Sequence, residues 1–332
     1  MSEIKKIYDM SEMETFYDMC LIVTDVKDTK TANSNSNYTP VELSDGEKKI
    51  TVNFFDETVD SLAKAGVKVD AILDIKLKKT SKAGKGIFYN KESFKICTDS
   101  KITKANFVNS APIDADVWFD TMLEFVKKVD TNPDGIGPYK SLSYLTLKIL
   151  QDNAEAFKRS SAAVAMHHNY LSGLMHHTGR MLSLAWAACQ TYSQLDKELM
   201  ICGTALHDIG KIFCYDTTDI GDSSVNVEGR LLDHAVVGIM MVHDAAKEEL
   251  YNPEKIQLLE HMIASHHGKK EWDAITTPAI PEAEMLHVID LADSRMNMFE
   301  QAYKGQQAGT VSTEKVFGLE NSYIYKPLYP EG

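Results

Sequence analysis

The sequence lacks the features that would tie it to a membrane, a secretory route or a disulfide framework. No apolar run in its 332 residues reaches the length of a membrane-spanning helix. Met1 to Tyr17 is acidic and polar and does not read as a signal peptide. Only five cysteines are present (Cys20, Cys97, Cys189, Cys202 and Cys214), and none form a CxxC pair. An odd count without that pair argues against both a disulfide framework and a structural zinc knuckle, so a reducing cytoplasm is the expected compartment. Internal repeats and low-complexity tracts are absent too.

Positive charge is short overall, with 35 Lys+Arg against 48 Asp+Glu for a net charge of -13. The first 110 residues hold 17 of each sign, so the whole deficit falls in the remainder. An acidic body disfavours tight duplex binding, which depends on phosphate neutralisation by Lys and Arg, yet it permits a metal site or a local basic groove. At this length, with 44% hydrophobic residues, two domains are expected.

Histidine is missing from about two-thirds of the chain, because all 11 fall between His167 and His287. Imidazole is the commonest metal ligand and titrates near neutral pH, so the clustering argues for a site.

Residues 13 to 100 read as strands: Phe16 to Val26, Tyr38 to Leu43, Lys49 to Phe55, Val67 to Lys78 and Ile87 to Cys97, with a short helix over Glu57 to Ala65. Five strands with a helix between the third and fourth is the order of an OB-type β-barrel, a frequent single-strand nucleic-acid platform. Lys76, Lys78, Lys79, Lys82 and Lys85 gather on the fourth strand and the turn after it, near Phe88 and Tyr89. That mixture suits a phosphate track with base stacking; a solvated hairpin whose lysines protect an edge is the alternative.

From Asp114 the period turns helical, with stripes at Val117, Met122, Phe125 and Val126 and at Leu142, Leu145 and Ile149. Longer helices are expected near 165 to 192, 195 to 209, 231 to 249, 253 to 266 and 281 to 303. The expected organisation is an OB-fold nucleic-acid-binding domain over 1–105, a helical connector over 106–160, an all-α helical bundle over 161–305 and a tail over 306–332 packing on the body.

The histidines concentrate around Ala205-Leu206-His207-Asp208-Ile209-Gly210-Lys211. Neighbouring residues on a helix point about 100° apart, so His207 and Asp208 reach one ion only at a helix end, which Gly210 supplies. His177, His234, His266, His267 and Asp290 come from other helices or their ends. Such long spacings exclude a short-loop zinc finger and suit a bundle core that collects ligands from several helices. With N and O donors only, Mn, Fe, Co or Mg is more natural than structural Zn. His243, His261 and His287 read as core or surface residues.

The order His177, His207-Asp208, Asp290 resembles the HD-domain phosphohydrolase signature, with His234 and His266-His267 matching the added ligands of its two-metal members. More narrowly, His167 to Thr178, Leu206 to Ile212, Val227 to His234, and Ser265 to Gly268 followed by Pro281-Glu282-Ala283-Glu284 resemble the YhaM-type 3'-to-5' exoribonucleases, which join an OB-fold to an HD domain. Ser172 and Asp233 stand where glycine is common, and His176 where an acidic residue is usual. The resemblance implies one ion on His177, His207, Asp208 and Asp290, with Asp208 bridging to a second on His234, His266 and His267. It implies an activated water attacking phosphorus, with Asp208 and Lys211 as catalytic residues, although a lysine past a helix end can also serve only the helix dipole. Arg295, five residues beyond Asp290, is a phosphate-clamp candidate with a surface ion pair as the alternative, and His168 is a further candidate substrate contact. The implied reaction is metal-dependent hydrolysis of single-stranded RNA from the 3' end to nucleoside monophosphates. Single-stranded DNA is a further substrate and a homo-oligomer a further state to test. The rivals are a nucleotide or cyclic-nucleotide phosphodiesterase and a non-catalytic nucleic-acid-binding regulator. Lys269-Lys270-Glu271-Trp272 after Gly268, in place of Gly-Tyr-Pro, speaks against a cyclic-dinucleotide enzyme, and the full ligand set speaks against the regulator.

Overall fold

The computed structural model describes residues 5–31, 36–82, 86–163 and 168–329. Two compact units emerge, one from Met1–Asn109 with Ala302–Gly332, the other from Ser110–Gln301.

The first unit is a closed barrel. Its strands are β1 (Phe16–Val26), the short β2 (Lys30–Thr31), β3 (Asn37–Ser44), β4 (Lys49–Phe55), β5 (Ile72–Lys82) and β6 (Gly86–Ile96). β1 runs antiparallel to both β3 and β5, β3 pairs with β4, and β5 pairs with β6. A parallel bridge, Val52↔Tyr89 between β4 and β6, closes the ring. Strand alternation sends Leu21, Val41, Leu43, Val52, Phe54, Leu73 and Leu77 inward, where all are fully buried. Helix α1 (Val59–Lys64) sits between β4 and β5, capped by Thr58 and anchored by buried Leu62. The expected five-stranded barrel is therefore present.

The tail belongs to the barrel unit. Its backbone folds on itself through Gly309 N to Lys326 O (2.8 Å) and Ser312 N to Ile324 O (2.7 Å), and Leu319 and Ile324 are buried.

The second unit is helical: α2 (Ala115–Lys128), α3 (Leu142–Asp152), α4 (Ala154–Arg159), α5 (Gly173–Thr191), α6 (Lys197–Leu206), α7 (Lys211–Cys214), a hairpin of β7 (Tyr215–Thr217) and β8 (Ser223–Val225), α8 (Val227–Leu232), α9 (His234–Ala245), α10 (Pro253–Ser265) and α11 (Pro281–Tyr303). The helices expected as a connector are part of its core. Met122, Val126, Leu145 and Ile149 of α2 and α3 pack in one cluster with Met181, Leu182, Leu206 and Ile263. An apolar stripe of that size needs a partner surface, and α5 and α6 provide it. Among the described residues no helix is long and apolar enough to cross a membrane.

Candidate metal centre

Helix α6 stops at Leu206, so His207 and Asp208 lie in the turn before α7, both buried and with their polar atoms side by side. Gly210 makes this turn fit: a Cβ there would stand 2.0 Å from the His234 carbonyl oxygen. The missing side chain lets the turn press on the first residue of α9, which brings Asp208 Oδ1 within 3.3 Å of His234 Nε2. Asp208 Oδ1 also lies 3.6 Å from His266 Nε2, while Oδ2 lies 3.3 Å from His207 Nε2 and 4.0 Å from His177 Nε2. Asp290, on α11, stands 3.2 Å from His177 Nε2. The donors fall into two groups, His177, His207 and Asp208, and His234, His266 and His267, each with ligand atoms within 4.8 Å of one another.

The surroundings fix which ring nitrogen each imidazole offers. His207 Nδ1 donates to the Thr204 carbonyl at 2.8 Å, His266 Nδ1 to the Ile263 carbonyl at 2.7 Å and His177 Nδ1 to Asp293 Oδ2 at 2.8 Å. A carbonyl only accepts, so the Nε2 lone pairs of His207 and His266 turn inward, as outer partners orient metal-binding histidines elsewhere. His207 Nε2, Asp208 Oδ1 and His267 Nδ1 are buried without a hydrogen-bond partner. Leaving such atoms unsatisfied is costly, and the donor set is what a divalent cation would satisfy. Without a cation, burial would raise the Asp208 pKa, but the charge of Lys211 beside it holds the carboxylate well below its usual range. Burial likewise opposes charge on His177, yet its hydrogen bonds to Asp290 and Asp293 hold it up at about 9.

Of these candidate donors Asp208, His234, His266, His267 and Asp290 line a hollow of about 400 Å³ with Lys211, Tyr215, Asp233, Trp272, His287 and Ser294. Lys211 Nζ donates to Asp208 Oδ2 at 2.6 Å. Of the substrate contacts expected from the sequence, His168 does not reach the hollow. His168 is fully buried, its Nε2 2.7 Å from Asp293 Oδ2 and its Nδ1 2.6 Å from the Tyr170 hydroxyl, so it braces the site from behind. Arg295 is not among the residues lining the hollow, since five residues on a helix turn it about 140° away from Asp290. The barrel lysines do not form one row. Lys76 and Lys78 pair with Glu92 (2.6 Å) and Glu14 (3.0 Å) on the outer face, whereas Lys79 Nζ reaches the Met10 carbonyl at 3.4 Å. Lys85 and His167 lie outside the described residues, as does the side chain of Lys82.

Asp293, which sequence reasoning passed over, receives His168, His177 and, at 2.6 Å, Arg180. Its signal was the three-residue spacing from Asp290, which puts both carboxylates on one face of α11. His287, read as a core or surface residue, faces the hollow, with the Trp272 ring 5.7 Å away. His176 turns away from the ligands and contacts the Tyr170 hydroxyl at 2.9 Å. Ser172 and Asp233 occupy positive φ, at 61° and 69°, which is why glycine is common at both positions. Asp233 repays this by capping α9 at Ala235 N (2.9 Å) and standing 3.2 Å from His234 Nδ1.

Residues 174–298 match the HD domain family model, which together with the clustered His and Asp ligands makes the helical unit an HD-domain phosphohydrolase. Over 224 residues the chain is 35% identical to the 3'-5' exoribonuclease YhaM of Bacillus subtilis (strain 168), covering 68% of each chain. It is 33% identical over 236 residues to the YhaM of Bacillus pumilus (strain SAFR-032), covering 71% of this chain and 72% of that one. The chain belongs to the YhaM 3'-5' exoribonuclease family. Dependence on a divalent metal follows from that membership, and the cluster supplies the donors.

Proposed function

We propose that the protein removes nucleotides one at a time from the 3' end of single-stranded RNA, using two divalent ions, with manganese the first choice and Fe, Co or Mg the alternatives. The observation that carries this reading is Asp208, whose two oxygens face two separate histidine groups. His177, His207, Asp208 and Asp290 would hold one ion, and Asp208, His234, His266 and His267 the other. Ions held there lower the pKa of water and neutralise the charge that builds on phosphate. Asp293 and the Thr204 and Ile263 carbonyls hold the imidazoles in the ligating tautomer. Lys211, buried beside Asp208, would stabilise phosphate charge. Trp272 offers a ring at the hollow's edge for a terminal base, with Lys269 Nζ 4.4 Å from its centre, where it can meet a phosphate.

Incubating the protein with manganese and a 5'-labelled single-stranded RNA should give a ladder of products shortened by one nucleotide each. A single internal cut, or hydrolysis confined to free nucleotides, would move the assignment to an endonuclease or a small-substrate phosphodiesterase. The same assay on single-stranded DNA sets the range of substrate, cell fractionation tests the cytoplasmic location, and sedimentation tests a homo-oligomer.

A further inference from the structure

Away from the histidine cluster, the outer face of the barrel carries a second group of soft ligands. Cys20 on β1 is the direct cross-strand partner of Asp74 on β5, and Cys97, one residue past β6, donates its N–H to the Ile72 carbonyl at 2.8 Å. The two thiols thus flank one carboxylate from either side. One ligand atom from each of Cys20, Asp74 and Cys97 lies within 4.8 Å of the others, and all three residues are half-buried. Both cysteines are free. Cys20 and Asp74 open into a hollow of about 610 Å³ bordered by Asp18, Lys76, Ser93, Phe94 and Lys95.

We propose that Cys20, Cys97 and Asp74 bind one thiophilic divalent cation such as zinc, with the hollow leaving room for a water as fourth ligand. Two thiolates and a carboxylate suit zinc, whereas the N and O donors of the helical unit suit harder ions. Spacing favours an ion over a disulfide. β5 lies between β1 and β6, so those ladders are two strand spacings apart, roughly 9 to 10 Å. A disulfide needs Cα atoms within about 7 Å, while sulfurs sharing a tetrahedral ion at bonds of about 2.3 Å lie nearly 4 Å apart. Lys95 Nζ is 3.6 Å from Asp74, but this lysine is 73% exposed and can swing aside. The ion would clamp the three strands β1, β5 and β6.

Cobalt titration of the full chain tests this, because only sulfur ligation gives a thiolate-to-cobalt charge-transfer band in the near ultraviolet. The band should saturate at one ion per chain, lose half or more of its intensity in Cys20→Ser and in Cys97→Ser, and persist in Asp74→Asn with affinity lowered at least about tenfold. Zinc should also shield Cys20 and Cys97 of the unaltered protein from alkylation, read by mass spectrometry, which needs no variant to fold. No band, a band unchanged in both cysteine variants, or a Cys20–Cys97 disulfide that forms as readily with zinc present would overturn the proposal.

Discussion

Lys211 donates to Asp208 Oδ2 at 2.6 Å, and both side chains are buried. A buried ion pair of this kind is fragile in one sense: removing either partner strands the other charge in a low-dielectric interior. The two residues therefore have to be separated by their effect on metal, not by loss of activity alone.

Asp208→Ala should abolish RNA hydrolysis and lower bound metal, since the carboxylate faces both histidine groups. It should also destabilise the fold by roughly 3 to 5 kcal/mol through the stranded ammonium. Asp208→Ala with Lys211→Met should recover most of that stability and none of the activity, read by thermal melts and metal analysis. Full activity with unchanged metal content in Asp208→Ala would remove the bridging role.

Lys211→Ala should lower turnover by a factor of about 100 or more while bound metal stays, because a charge that meets phosphate stabilises the transition state without ligating the ions. Metal lost together with activity would make Lys211 a support for Asp208 instead.

Asp293 makes a prediction of a different kind, since it touches His168, His177 and Arg180 but does not line the hollow. Asp293→Asn should weaken metal affinity by about 10-fold to 100-fold, the usual cost of losing an outer partner of a metal-binding histidine. Excess manganese should restore turnover toward the original value. A turnover defect that no metal concentration rescues would place Asp293 in the reaction itself.

Burial holds His168 and His176 down at about 4, and pushes His266 and His267 below their ordinary value as well. The unfolded chain takes up these protons near pH 6.5 and the folded chain does not, so lowering the pH from 6.5 toward 4 favours unfolding. His177 acts in the other direction: its pKa of about 9 gives stability that is complete below 6.5 and lost as pH rises through 9. Chelator-treated protein should therefore melt at the highest temperature near pH 6.5 and lose stability on both sides. A melting temperature that climbs steadily as the pH is lowered to 4.5 would contradict the buried, neutral state of those four rings.

The candidate ligands could be picked out because imidazoles and carboxylates came in tight pairs at helix ends, His207-Asp208 and His266-His267, beside otherwise apolar helices. Asp293 was not, because an acidic residue one turn beyond Asp290 ordinarily marks the solvated side of a helix. His168 misled for a related reason: nearness in sequence to His177 says nothing about which side of that ring a residue reaches. The barrel strands were legible from their alternation, and their order pointed to the fold. Alternation places Lys79 on the face opposite Lys76 and Lys78, but it does not say which neighbour each lysine meets. The boundary of the helical unit was misjudged because α2 and α3 are amphipathic, and amphipathicity alone does not name the surface they cover.

The outer-face lysines give the last prediction. Lys76 and Lys78 are engaged by Glu92 and Glu14, so RNA has to compete with those carboxylates for them. Each phosphate contact contributes about -0.7 to the log-log salt slope for a single strand, so two fully committed lysines would contribute about -1.4. With metal withheld to stop hydrolysis, Lys76→Ala with Lys78→Ala should make the slope shallower by less than that. Glu14→Gln with Glu92→Gln should do the reverse, tightening RNA binding severalfold and steepening the slope, because the lysines are then available to phosphate. Should both pairs of substitutions leave affinity and slope unchanged, this face of the barrel does not touch RNA, and the lysines serve the edge-protecting role weighed against it.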